Sequence, residues 1–123
     1  MLSKTIRNLT IILAMTTTGG MAMADFAKVE DVMASQGASG WRFDVTISHP
    51  DTGWDHYADG WEVVDAAGNR LGFRELLHPH VNEQPFTRSL SGVAIPAGTG
   101  QVFIRARCLV DGWAPELTPV ALR

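Results

Sequence analysis

Residues 41–60 read WRFDVTISHPDTGWDHYADG. The first eight alternate. Trp41, Phe43, Val45 and Ile47 fall on one face, and Arg42, Asp44, Thr46 and Ser48 fall on the other. A period of two places one face of a β-strand in a core and the other in water. The next twelve residues, His49 to Gly60, break the alternation. They hold two histidines, three aspartates, Trp54 and Tyr57. A polar loop so rich in ligand chemistry, directly after so clear a strand, sets the reading of the rest of the chain.

Other stretches repeat the strand pattern. Residues 101–110 place Val102, Ile104, Ala106, Cys108 and Val110 on one face, with Arg105 and Arg107 opposite. Residues 61–64 and 70–77 flank Asp65-Ala66-Ala67-Gly68-Asn69, whose Gly and Asn suit the positive φ of a tight hairpin. Residues 86–93 carry Ser and Thr on a wet face, and residues 116–122 supply a last strand. Residues 26–34 alternate imperfectly, as an edge strand with a bulge does. No segment has a helical period. Seven short strands with regular turn signals predict an all-β fold, a seven-stranded antiparallel sandwich of the immunoglobulin or fibronectin type III kind. A small closed barrel is the structural alternative.

The first 24 residues read as a signal peptide outside that fold. Lys4 and Arg7 precede a short apolar run, Leu9 to Met15, and Ala22-Met23-Ala24 supplies the small residues of a cleavage site. The expectation is one exported domain, 25–123, periplasmic or secreted. No cysteine follows the site, so the expectation includes no lipid or membrane anchor after cleavage. Two of the chain's ten basic residues lie in the signal segment, which leaves eight against thirteen acidic and a formal charge of −5, compared with −3 for the whole chain. That balance argues against nucleic acid and anionic membrane surfaces as partners. The single cysteine, Cys108, permits no intramolecular disulfide and alternates inward as a core thiol.

If the strands run as antiparallel neighbours, their loops alternate between two ends. Loops 35–40, 66–69 and 95–100 are small and Gly-rich; loops 49–60, 78–85 and 111–115 share the opposite end. That pole would collect all four histidines (His49, His56, His78, His80) with Asp51, Asp55, Asp59, Glu83 and Asp111. Imidazoles with carboxylates suit zinc, copper or nickel. His78 and His80 flank a proline and project to one side of an extended segment. The expected ligand set is His78, His80 and one of His49 or His56, with Asp51, Asp55 or Glu83 as a fourth. The competing reading makes the histidines turn caps and gives Trp54, Tyr57 and Trp113 to a protein partner. Asp51, Asp55 and Asp59 recur every four residues, which suggests calcium, but no oxygen-ligand loop of known spacing accompanies them. No nucleophile and base are marked as a pair, so the expectation is a non-enzymatic module.

WRFDVTISHPDTGWDHYADGWEV and GNRLGFRELLHPHVNEQPFTRSL resemble a family of small, signal-bearing bacterial proteins of unassigned function. The resemblance runs from about Trp41 to about Arg107. It implies export and a β-rich domain but no activity. Cys108 to Trp113 departs from the family's wording, in which a histidine precedes the glycine, so the last loop is not expected to supply a ligand.

Overall fold

A computed structural model describes residues 24–123. The signal-peptide reading falls almost wholly on residues 1–23, outside the described residues. Eight strands follow in order: β1 (Lys28–Gly37), β2 (Gly40–Ser48), β3 (Ala58–Val64), β4 (Arg70–Glu75), β5 (Phe86–Val93), β6 (Gln101–Cys108), β7 (Gly112–Trp113) and β8 (Thr118–Ala121). They form two antiparallel sheets. One has the order β1-β2-β5; the other has β4-β3-β6, with β7 and β8 sharing the free edge of β6.

The alternation of residues 41–48 sets the interior of the first sheet. Phe43, Val45 and Ile47 are fully buried, and Trp41 is only partly so. Trp61 and Val63 of β3 and Val102, Ile104 and Ala106 of β6 face them from the second sheet, in one cluster with Phe86 and Val93. Each fully buried aliphatic or aromatic side chain contributes about 1.5–3 kcal/mol, so this cluster, not any ion pair, carries the fold. β1 lies at an edge and carries a bulge between Val29 and Asp31. It runs on to Gly37, beyond the expected end, because its hairpin to β2 closes tightly around Ala38 and Ser39.

The structure departs from the expected seven strands at Gly112–Trp113. This two-residue strand pairs with Arg107 and Cys108 of β6, inside what reads as a loop. Two residues carry no periodicity, so nothing in the sequence marks them as a strand. In the β3–β4 hairpin, Gly68 takes positive φ (84°) and Asn69 does not. Asp65 holds this turn instead: its Oδ1 accepts from the Ala67 and Asn69 amides at 2.9 and 2.8 Å.

Candidate metal centre

Every hairpin or crossover reverses the chain, so the β2–β3, β4–β5 and β6–β8 connections meet at one end. Asp51 is the knot between the first two. It is buried, and its carboxylate accepts three hydrogen bonds: from the Ala58 amide (2.9 Å), from the His80 amide (2.8 Å) and from His49 Nδ1 (2.5 Å). The third connection joins through the Leu109 amide, which donates to the Tyr57 carbonyl at 3.0 Å.

His49 follows directly on β2 and its side chain is fully buried. Its Nδ1 is committed to Asp51, while Nε2 faces the Asp25 carbonyl oxygen at 2.8 Å. A carboxylate on one imidazole nitrogen is the arrangement that orients metal-binding histidines, and the other nitrogen of His49 would have to leave the Asp25 carbonyl to meet an ion. The His56 ring meets His49 edge to face, with centroids 4.8 Å apart. His56 Nε2 is buried and has no hydrogen-bond partner, although Asp111 Oδ2 lies 3.3 Å away. Cys108, the last residue of β6, is fully buried, and its Sγ is 3.7 Å from the same Asp111 oxygen. Burial pushes the Cys108 thiol above its ordinary range, so it is a protonated thiol at neutral pH and not a poised nucleophile.

One ligand atom each from His49, His56 and Cys108 lies within 4.8 Å of the others. Ligands about 2.0–2.3 Å from a shared ion stand about 3.3–4 Å apart. The three therefore need only small side-chain rotations to share an ion. An open groove of about 700 Å³, lined by Phe26, Ala27, Val29, Ala106 and Ala114, reaches His49.

The structure gives His78 and His80 other surroundings. Their rings are neighbours, with centroids 4.5 Å apart, but neither belongs to the three-ligand group. His80 stacks flat on Phe86 at 3.8 Å, and its Nε2 accepts from the Arg88 guanidinium at 2.7 Å. Burial, then the Arg88 charge, hold His80 below the usual imidazole range, so the ring is neutral and its Nε2 lone pair is already used. His78 is exposed and turned toward the Pro79 carbonyl. Neither ring therefore joins His49 or His56 in that group, and His80 instead contributes its backbone amide, through Asp51.

The carboxylates separate as well. Asp51 supports His49, Asp59 pairs with Arg107, and Asp55 and Glu83 are exposed. The four-residue spacing of Asp51, Asp55 and Asp59 therefore produces no shared oxygen cage. Trp54 is 66% exposed and lies edge-on to Tyr57 at 5.8 Å. Trp113 is elsewhere: as part of β7 it lies beside Phe73 and beneath the Arg70 and Arg105 guanidinium groups. It is not part of an aromatic cover with Trp54 and Tyr57.

Cys108 and Asp111 are the members that residue patterns do not single out as ligands. The inward alternation of β6 correctly places Cys108 in the interior. At the end of a strand, however, inward also means beneath the loops of the pole.

No family model matches the chain, and no solved structure matches it. A protein of Halomicrobium mukohataei named "Putative lipoprotein" is similar: 40% identical over 101 residues, covering 82% of this chain and 49% of that protein. The chain thus spans about half the length of this relative.

Proposed function

We propose that this chain is an exported, non-enzymatic binding module that holds a divalent or monovalent transition metal, zinc or copper, at its loop pole. The observation that carries the reading is the convergence of His49, His56 and Cys108, with a buried His56 Nε2 among them that makes no hydrogen bond and has only the Asp111 carboxylate 3.3 Å away. A buried polar atom without a partner is costly, and a bound cation would satisfy it. The strand order β1-β2-β5 against β4-β3-β6-β8 supports a sandwich of the fibronectin type III kind as the scaffold. Export is supported by the signal-like first segment and by the relative's name. That name concerns a lipid-anchored protein, so it lends nothing to the expectation of an anchor-free chain, and the proposal is limited to export.

The test is calorimetric titration of untagged protein, recovered from the periplasm of an expression host, with zinc. His56→Ala and Cys108→Ser each remove a direct ligand and should weaken binding by more than the roughly 10–100-fold that loss of an outer-shell partner costs, while His78→Ala leaves it unchanged. Equal binding by all four proteins would refute this ligand set. A second reading is favoured by Trp54, whose exposure leaves a large indole available to a protein partner. In that case capture of the partner would be lost in Trp54→Ala and retained in His56→Ala.

A further inference from the structure

We infer that the ion this pole is built for is copper, held as a His₂Cys centre by His49, His56 and Cys108 with the Asp25 carbonyl oxygen as a weak fourth donor. The inference rests on the metal-binding reading above and names the metal.

Two imidazoles and one thiolate are the donor set that selects copper in a trigonal site, and a backbone oxygen is one of the known weak axial partners. Divalent copper also binds nitrogen and sulfur donors more tightly than zinc does, so at equal free concentrations a site of this composition favours copper. The Asp25 oxygen is well placed for the fourth position. It stands 2.8 Å from His49 Nε2, closer than the roughly 3.3 Å between two ligands on bonds near 2.0 Å, so it would move out by about half an ångström or more to serve as a weak donor. It is held there because the Asp25 nitrogen, an α-amino group once the chain is cut after Ala24, donates to Asp111 Oδ2 at 3.2 Å.

Two of the three strong donors stand on fixed supports. His49 and Cys108 sit at the ends of strands from opposite sheets, and His49 is fixed in orientation by Asp51. Such a frame holds few-coordinate geometry against the tendency of divalent copper to gather more ligands. On binding, the Cys108 S–H proton and any proton on His49 Nε2 leave to solvent. Nδ1–H of His49 stays on its hydrogen bond to Asp51. Oxidation of the copper(I) form removes one electron from the metal centre and breaks no bond, provided a one-electron acceptor is supplied.

The experiment uses protein recovered after export. It is loaded anaerobically with one equivalent of copper(I), then oxidised with one equivalent of hexacyanoferrate(III), which becomes hexacyanoferrate(II). The expected result is an intense visible absorption from thiolate-to-copper(II) charge transfer, with narrow copper hyperfine splitting in the electron paramagnetic resonance spectrum. Cys108→Ser, nearly isosteric, should lose the band while its folded circular dichroism spectrum is kept. A copper(II) resonance accompanied only by weak ligand-field absorption would overturn the His₂Cys assignment, as would binding of zinc without copper. In both cases the metal-binding reading survives. Binding of neither metal would overturn both.

Discussion

Replacing Asp51 with alanine removes one carboxylate and strands the donors that meet on it. His49 can recover, because a neutral ring protonated at Nε2 still donates to the Asp25 carbonyl. The amides of Ala58 and His80 cannot, since both bonds to Asp51 are buried. Each buried donor left unsatisfied costs about 1–3 kcal/mol. The expected loss from the two is therefore about 2–6 kcal/mol, a large share of the roughly 5–15 kcal/mol that stabilises a typical domain. Urea unfolding at pH 7 with a chelator present measures it, the chelator removing any contribution from bound metal. With a slope near 1 kcal/mol/M for a chain of this size, the midpoint should fall by about 2–6 M. Asp51→Asn keeps one acceptor oxygen and should lose less, about 1–3 kcal/mol. If Asp51→Ala lies within about 0.5 kcal/mol of the parent, Asp51 does not tie the loops together and the account of the pole is wrong.

Three further outcomes follow from the same geometry. Gly40 has φ of 126°, and a Cβ there would stand 2.8 Å from the Val93 carbonyl oxygen, so Gly40→Ala should lower Tm by about 8 °C or more; Gly68→Ala, with φ of 84° but open space around it, should lower it less. The bonds from Asn69 and its neighbours hold the Asp65 carboxyl below the usual carboxylate range. Its folded pKa being depressed, Asp65 contributes stability that is complete above about pH 4 and is lost as pH falls through the folded value; Asp65→Asn should flatten that part of an acid-unfolding curve. Trp54→Ala should leave stability within about 0.5 kcal/mol of the parent, as the side chain is mostly in water.

The fold is legible wherever a period of two runs for most of a strand. β2 and β6 declare both their existence and their inner faces, and β5 has the expected limits, Phe86 and Val93. β7 is invisible because two residues cannot show a period. The pole is legible in part, because strand parity alone sends residues 49–57 and 78–85 to the same end. What parity cannot say is which side chains turn inward once there. His80 has a histidine's ligand chemistry but spends its lone pair on Arg88 and its ring face on Phe86, a consequence of where β5 begins. Cys108 has the burial of a core residue, and its place in the candidate site comes from His49 and His56, more than fifty residues earlier in the chain. Asp111 reaches the same place only because β7 folds the chain back against β6.

The most direct test of the central claim is X-ray absorption at the zinc edge of protein loaded with one equivalent of zinc. The ligand set His49, His56 and Cys108 predicts one sulfur at about 2.3 Å, with nitrogen and oxygen donors at about 2.0–2.1 Å and imidazole outer-shell scattering. A first shell of nitrogen and oxygen alone, unchanged in Cys108→Ser, would contradict it.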